Sequence, residues 1–413
     1  MPKIKDFLNT IYETNEFYKN IVKIHNIADP TDITQYPVLT REQLQENRYN
    51  MFSEGYKNKY FSQQLRRQSS SGSSGIPVNV YWDYKDYYSS MRVLWHKRLQ
   101  YYGIRSSDRY VMFTLNALNT KVESEMIYYI KQPENILIIN ISLIHKNNDY
   151  EKLIALIDEF KPKWLYIQPF ILQKLIYLYQ QLSKTPPQTL KYIETVGELL
   201  SPELKQKTLD YFKISVAEMY GSEEMNGISY ECPYHNLHIL TDNVLVECKN
   251  DNGIHCCGKG EAIITNLTNK AMPLIRYNQG DEIILNTLSE PCLCGSSAPL
   301  ISQIKGRSLD SIKINNEIEL NSFMLLETMA EVINQYGDII TCYKYIYIKS
   351  ERKLQCLIEI EKRSKHWYSN VKETIVGAFL KKLSPTVDIC FEVSLMDNIH
   401  SYDKKHKVLE IKE

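Results

Sequence analysis

The stretch KYIETVGELLSPELKQKTLDYFKISVAEMYG, residues 191–221, decides the fold class. It begins and ends with the β-rich segments KYIETVG and SVAEMYG, and between them Ser201 and Pro202 supply a helix N-cap and a first-turn proline. This strand–helix–strand order predicts two parallel strands joined by a right-handed crossover. Ligands of such sheets bind beyond the carboxyl ends of the strands, so a site is expected near GSEEMNG, residues 221–227.

The same alternation extends toward the N-terminus and predicts a parallel sheet with flanking helices. Strands are predicted over 109–115, 135–141 and 163–169, and helices over 149–160 and 170–183. We therefore expect an α/β fold for a large N-terminal domain, residues 1–308, with a small Cys/His-rich β part at about 228–300. Residues 309–413 change to an α+β pattern and are predicted to form a smaller C-terminal domain.

Composition narrows the functional class. The 413 residues carry 49 Lys and Arg against 49 Asp and Glu, so no overall charge attracts nucleic acid or an anionic membrane. The first residues lack the apolar run of a signal peptide, and no stretch has the length of a membrane span. We expect a cytoplasmic protein, monomeric or homodimeric, whose nine cysteines are mostly thiols.

A Ser/Gly-rich loop interrupts the segment RRQSSSGSSGIPVNVYWD, residues 66–83. Its composition fits a flexible linker, but only about 65 residues precede it, which is little for an independent core. It is not a Walker A motif, because no Gly-Lys-Ser/Thr follows at the required spacing. Gly72 and Gly75 can turn backbone N–H groups inward, and the serines add hydroxyl donors, so a phosphate loop and a solvated turn both remain open.

Several motifs, taken together and in order, resemble those of acyl-adenylate-forming enzymes, most closely the phenylacetate–CoA ligase branch and its capsule-biosynthesis-type relatives. The resembling segments are SSGSSGIP (70–77), VGE (196–198), YGSEE (220–224), MPLIRYNQGD (272–281), CLCG (292–295), GRSLDSI (306–312) and DKKHKV (403–408). The resemblance implies ATP-dependent activation of a small carboxylic acid, an aromatic one being favoured, to acyl-AMP with release of pyrophosphate. The acyl group then passes to a thiol, with coenzyme A as the foremost acceptor.

The resemblance also implies roles for individual residues, and it adds Mg²⁺ to ATP as a cofactor. Lys404 and Glu224 would be catalytic, with Glu224 holding the Mg²⁺, while Asp310 would be the hinge of a mobile C-terminal domain. The ATP-binding set would be Ser70, Ser71, Gly72, Ser73, Ser74, Gly75, Gly197, Glu198, Tyr220, Gly221, Ser222, Asp281 and Arg307. The acid would be bound by Phe113, Asn116, Phe170 and Gly221.

The residues by themselves leave blander interpretations open. Without the motifs, Glu224 reads as an exposed loop acid, Asp281 as a turn residue, and Lys404 as part of a solvated basic terminus. Other functions also remain: acyl transfer to a carrier-protein phosphopantetheine or an amine, or a non-catalytic homologue that binds nucleotide and zinc. A kinase is disfavoured because its phosphate-loop lysine motif is missing.

A cluster of sulfur and nitrogen ligands is predicted in the β-rich part. Cys232 and His238, in CPYHNLH, together with Cys292 and Cys294, in CLC, could form a tetrahedral Cys₃His site for structural Zn²⁺. His235 is a spare ligand, and the adjacent Cys256 and Cys257 are rivals; the alternative is a group of thiols in reduced cytosol.

The chain departs from the family pattern at several positions. Ile76 stands where the phosphate loop usually has Lys, Glu223 replaces Ser/Thr, and Gln279 replaces the Thr of the TGD triplet. Asn316 and Asp403 replace glycines, the first beside the thiol tunnel of the family and the second before Lys404. Ile76 and Glu223 change the charge beside the nucleotide, whereas Asn316 bears on the coenzyme A step.

Overall fold

The structure is a computed structural model. It describes residues 2–69, 78–114, 128–131, 135–140, 147–197, 200–305, 311–313, 319–321, 325, 328, 329, 332, 333, 335, 336, 339–360, 366–382, 389–396 and 409–412. The α-helices of this part are α1 (Pro2–Thr14), α2 (Glu16–Ile24), α3 (Arg41–Asn47), α4 (Lys57–Phe61), α5 (Tyr84–Tyr102), α6 (Asn147–Phe160), α7 (Pro169–Gln181), α8 (Pro202–Phe212) and α9 (Tyr368–Lys382). No helix in these ranges combines the length and the apolar character needed to cross a membrane.

The strands divide into one large sheet and three small ones. They are β1 (Arg66–Ser69), β2 (Asn79–Trp82), β3 (Tyr110–Thr114), β4 (Tyr128–Lys131), β5 (Ile136–Asn140), β6 (Trp164–Ile167), β7 (Tyr192–Thr195), β8 (Ser215–Ser222), β9 (Asn226–Glu231), β10 (Leu237–Ile239), β11 (Val244–Asn250), β12 (Gly253–His255), β13 (Gly258–Asn266), β14 (Tyr277–Asn286), β15 (Leu300–Lys305), β16 (Ser311–Lys313), β17 (Glu319–Asn321), β18 (Ile340–Ile348), β19 (Lys353–Ile360), β20 (Cys390–Met396) and β21 (Leu409–Lys412).

The predicted parallel sheet is confirmed. Strands β5, β3, β6, β7 and β8 pair in parallel in that order, and β4 adds an antiparallel edge. Helices α6 and α7 cover it with the apolar positions that their periodicity predicts, among them Leu153, Ile154 and Ile157, all buried. Ser201 caps α8 by accepting a hydrogen bond from the Leu204 N–H at 3.2 Å, with Pro202 in the first turn as expected.

Strand β8 joins the parallel strands to an antiparallel continuation of the same sheet. Its first half, up to Glu218, pairs with β7, and its second half, from Met219, pairs antiparallel with β9. The strands predicted in the Cys/His-rich region therefore extend one mixed sheet, in the order β12-β11-β13-β14-β15-β10-β9-β8-β7-β6-β3-β5-β4. Because β8 runs past the end of β7, Tyr220 to Ser222 stand beyond the carboxyl edge of the parallel strands.

The N-terminal helices pack against the antiparallel half. Buried side chains of α1 and α2, such as Leu8, Ile11 and Tyr18, share one apolar cluster with Tyr277 and Ile283 of β14. The chain before α3 is tied to β14 by the backbone: the Leu39 N–H donates to the Arg276 carbonyl at 3.0 Å and the Asn278 N–H to the Leu39 carbonyl at 2.9 Å. This contact brings the start of α3 to the region where β8 ends.

The C-terminal residues show the predicted α+β pattern. Strands β20, β19, β18 and β21 form a four-stranded sheet, and α9 packs on it through Val371, Ile375 and Phe379. Residues 306–310 lie outside the described ranges, so the boundary expected near 308 stays a prediction.

Candidate active site at the end of β8

Glu224 lies in the turn after β8 and is buried, so its interpretation as an exposed loop acid is wrong. Its side chain is 2% exposed. Oxygen Oε1 accepts two hydrogen bonds, from Nη2 of Arg41 at 3.1 Å and from the Tyr277 hydroxyl at 3.2 Å. None of the described residues donates to the other oxygen, Oε2. The carboxylate is thus held at one oxygen by α3 and β14.

Asp281 lies inside strand β14, which corrects its interpretation as a turn residue. Oxygen Oδ2 accepts hydrogen bonds from the Tyr220 hydroxyl at 2.8 Å and from Nε2 of Gln279 at 2.9 Å. Gln279 is buried, and its amide also donates to the Tyr220 hydroxyl. Gln279 stands at the position where the resembling motif has Thr. Its hydrogen bond therefore helps to orient the Asp281 carboxylate.

The last turn-proximal residues of β8 need glycine at 221. A Cβ on Gly221 would come within 2.3 Å of the Asn226 carbonyl oxygen, a distance that no side chain tolerates against backbone. Next to it, the Ser222 hydroxyl is buried without a hydrogen-bond partner among the described residues. Buried hydroxyls are normally paired, so this atom is a candidate ligand contact.

Glu223 connects the same turn to the strand that enters the Ser/Gly-rich loop. Its exposed carboxylate accepts a hydrogen bond from Nε2 of Gln68, on β1, at 2.9 Å. Since β1 ends at Ser69, the loop starts beside the β8–β9 turn. Glu223, where the family has Ser or Thr, thus contacts β1.

The ends of the parallel strands β3, β6 and β7 meet at Gln168. Nε2 of Gln168, after β6, donates to the Phe113 carbonyl at the end of β3, at 3.3 Å. Gly197, after β7, has a left-handed backbone conformation (φ +81°). A Cβ at this position would lie 3.7 Å from Cγ of Gln168. The Phe113 ring itself packs in the hydrophobic core, and only the backbone of Phe170 is described, in α7. Their role in acid binding stays a prediction.

The remaining predicted residues lie outside the described ranges. They are Ser70, Ser71, Gly72, Ser73, Ser74, Gly75, Asn116, Glu198, Arg307, Asp310 and Lys404. Arg41 lies in none of the motifs, and Tyr277 lies in the segment MPLIRYNQGD without a predicted role. Arg41 stands in TREQ, a helix N-terminus with a Thr40–Gln43 capping box, and nothing local to that segment signals an ion pair with a residue 183 positions away.

A second buried ion pair stiffens the parallel half. Arg98 of α5 donates to both oxygens of Glu194 on β7, at 2.8 and 2.6 Å, and the Tyr192 and Tyr230 hydroxyls also donate to Glu194. Its guanidinium lies 4.4 Å from the Trp95 ring centroid. No motif in the sequence predicted this pair.

Cys232, His238, Cys292 and Cys294 form the one cluster of metal-ligand type within the described residues, with all ligand atoms within 4.8 Å of one another. The Cys232 and Cys292 sulfurs are 3.9 Å apart, and the Cys294 sulfur is 3.3 Å from Nε2 of His238. Tetrahedral Zn²⁺ with ordinary bond lengths requires about 3.8 Å between sulfurs and about 3.5 Å from sulfur to nitrogen. The four side chains fit that geometry.

The surroundings orient these ligands. Nδ1 of His238 contacts the Ala298 carbonyl at 3.1 Å, which directs Nε2 toward Cys294, and the Asn236 amide donates to the Cys292 sulfur at 3.3 Å. Burial raises the pKa of the Cys292 thiol, but hydrogen bonds from the Cys294 N–H and from His238 outweigh burial and lower this pKa to about 6. The lowered pKa favours the thiolate, which is the form that binds metals.

The alternative ligands lie elsewhere. His235 is exposed and contacts Glu231 at 3.0 Å, and the exposed Cys256 and Cys257 stand at the β12–β13 turn, outside the cluster.

Comparison with known proteins gives this site a context. No protein-family model matches the chain. The chain is 23% identical over 292 residues to Protein CapK of Staphylococcus aureus, and 26% identical over 200 residues to phenylacetate-coenzyme A ligase of Thermus thermophilus. These matches cover 68% and 46% of the chain, and 62% and 44% of the relatives, which is less than two thirds of their own lengths.

A solved structure shares the fold over the whole chain. 2-Hydroxyisobutyryl-CoA ligase, crystallised with 2-HIB-AMP and CoA in the thioesterification state, superposes with a TM-score of 0.63 and 16% identity, covering 100% of this chain and 88% of that one. The chain is thus similar in sequence to Protein CapK and to phenylacetate-coenzyme A ligase, and it shares the fold of a CoA ligase. In this chain, the turn after β8 and strand β14 carry the residues that resemble the YGx[ST]E and TGD motifs.

Proposed function

We propose that this protein activates a carboxylic acid with ATP, forming acyl-AMP and pyrophosphate, and then transfers the acyl group to the thiol of coenzyme A. The observation that carries the proposal is the pair of carboxylates Glu224 and Asp281, each clamped at one oxygen where β8 passes beyond the parallel strands. The relatives that bear the name phenylacetate-coenzyme A ligase support it, and by resemblance they favour an aromatic acid.

The chemistry asks for positioning and charge neutralisation, because a carboxylate attacks a phosphate and both are anions. Oε2 of Glu224, with no donor from the described residues, is suited to hold Mg²⁺, which supplies positive charge to the phosphates when bound. Asp281 has a second oxygen for the ribose hydroxyls. Ser70 to Gly75 would hold the phosphates, Arg307 the ribose, and Lys404 would neutralise charge between the carboxylate and the α-phosphate.

Exchange of labelled pyrophosphate into ATP tests the first step, across a panel of aromatic, aliphatic and amino acids. We expect exchange with one class of acid and its loss by a factor of about 100 or more in Lys404→Ala, the effect of losing one such electrostatic contact. Lys405→Ala is the matched control, since it removes a neighbouring charge from the same segment and should exchange normally. Tight ATP binding without exchange for any acid would instead support a non-catalytic nucleotide-binding homologue.

Coenzyme A as acceptor is tested after the acid is known. Acyl-AMP formed by the protein should be consumed on addition of coenzyme A, with appearance of the thioester. Consumption only by a phosphopantetheine carrier protein or by an amine would refute the coenzyme A step and leave adenylation intact.

We further propose that the Cys232–His238–Cys292–Cys294 cluster binds structural Zn²⁺. The support is the fit of its separations to tetrahedral coordination by four protein ligands, which leaves no open position for catalysis. Metal analysis of purified protein should give about one equivalent, lost in Cys292→Ser and retained in Cys256→Ser. Less than about half an equivalent in the unsubstituted protein would refute the site.

The division into a domain of residues 1–308 and a C-terminal domain of 309–413 is also proposed. The separate apolar cluster of the four-stranded C-terminal sheet supports it. Limited proteolysis should cut near 308 and release two stable fragments.

A further inference from the structure

We propose that Arg41 is a positioning residue for the cation site: it holds Oε1 of Glu224 so that Oε2 faces the metal. The inference rests on the proposed ATP-dependent function, and it assigns a part of the nucleotide site to the N-terminal helices.

Two donors define the orientation of the Glu224 carboxylate. The guanidinium of Arg41 and the hydroxyl of Tyr277 both reach Oε1, at 3.1 and 3.2 Å, and they come from separate elements, α3 and β14. When one oxygen of a carboxylate accepts two hydrogen bonds, the group cannot rotate about its terminal C–C bond without losing both bonds. Hydrogen bonds of this kind orient metal-binding carboxylates in proteins generally.

Arg41 is itself fixed. Its side chain is 10% exposed, and it is the first residue of α3, whose start is set by the Thr40–Gln43 capping box. The backbone bonds between Leu39 and β14 hold that helix against the strand that carries Tyr277. The backbone that carries this guanidinium therefore cannot move away from Glu224 without breaking the packing of the N-terminal segment.

Arg41 has two opposite effects on metal binding, one through its charge and one through its hold on Glu224. A fixed cation repels an incoming Mg²⁺, which alone would weaken metal binding. Arg41 is, however, also the ion-pair partner that fixes the orientation of the buried Glu224 carboxylate. The guanidinium of arginine stays protonated in proteins, so this partner is always a cation. Without Arg41, the Tyr277 hydroxyl is the one described donor left at Oε1. We expect the lost orientation of Glu224 to outweigh the relieved repulsion and to weaken metal binding.

The test is binding of Mn²⁺ in the presence of α,β-methylene-ATP, followed by electron paramagnetic resonance, which requires neither acid nor turnover. Arg41→Met should weaken Mn²⁺ binding by about 10- to 100-fold, the usual effect of losing an outer partner of a metal ligand. Arg41→Lys should recover part of that loss, because it restores charge without the fork. Tyr277→Phe, which removes the second donor, should weaken Mn²⁺ by a smaller factor.

Arg98→Met is the matched control, since it breaks another buried Arg–Glu pair that does not touch Glu224. Unchanged Mn²⁺ binding in Arg41→Met and Arg41→Lys, a shift as large in Arg98→Met, or no Mn²⁺ binding by the unsubstituted protein would overturn the inference. If Arg41→Met does not fold, the Arg41→Lys and Tyr277→Phe shifts decide it.

The two proposals fail separately. The expected Mn²⁺ pattern without pyrophosphate exchange for any acid would refute adenylation and keep the role of Arg41. Pyrophosphate exchange in the unsubstituted protein, together with equal Mn²⁺ affinity in all variants, would support adenylation and refute the role of Arg41.

Discussion

Tyr220→Phe removes one of two donors from Asp281 and tests whether this carboxylate is prepared for the nucleotide. The hydroxyl lies 2.8 Å from Oδ2, and Gln279 donates to the same oxygen at 2.9 Å. A hydrogen bond to a charged group contributes about 1.5–3 kcal/mol, and the remaining donor should retain part of the orientation. We therefore expect a loss near the lower limit, about 1.4 kcal/mol, or about tenfold in AMP affinity.

Calorimetry of AMP binding measures this loss without dependence on the acid or on turnover. Gln279→Leu alone should produce a loss of similar size, and the double variant should lose more than the sum, since Asp281 then has neither donor. Tyr192→Phe is the control, because its hydroxyl serves the distant carboxylate Glu194. AMP affinity unchanged in both single variants and in the double variant would show that the orientation of Asp281 does not matter for the nucleotide.

Further predictions concern stability and folding. Arg98→Met should lower the free energy of unfolding by about 3–5 kcal/mol, because it leaves the buried Glu194 carboxylate without its ion-pair partner. Denaturant titration should show a smaller loss when Arg98→Met is combined with Glu194→Leu. Equal losses in the single and double variants would contradict this explanation. Burial and the neighbouring Glu231 raise the pKa of Glu218 to about 7, so the folded state binds the extra proton between pH 4.5 and about 7 and stability falls as pH rises through that window. Glu218→Gln should flatten this part of the pH–stability curve, and an unchanged slope would count against it. Gly221→Ala should reduce soluble folded protein, since its Cβ meets backbone; circular dichroism and melting indistinguishable from the parent would refute the close contact.

Local pattern was sufficient for much of the fold. Apart from β4, the described strands and helices between 109 and 221 were predictable, because the periods of buried side chains and the cap at Ser201 are properties of short segments. Ordered motifs likewise pointed to Glu224, Asp281 and the four zinc-type ligands, since each residue type carries its chemistry with it. Those predictions did not require knowing which distant residues contact each other in the folded chain.

The tertiary structure decided how those residues are held. Asp281 proved to lie within a strand, and the Cys/His-rich strands proved to continue the main sheet, because pairing partners are chosen by packing across the whole chain. Arg41 meets Glu224 across 183 positions, and Arg98 meets Glu194 across 96. Burial turns these acids from solvated side chains into oriented carboxylates, and burial is a property of the assembled core that no single segment contains.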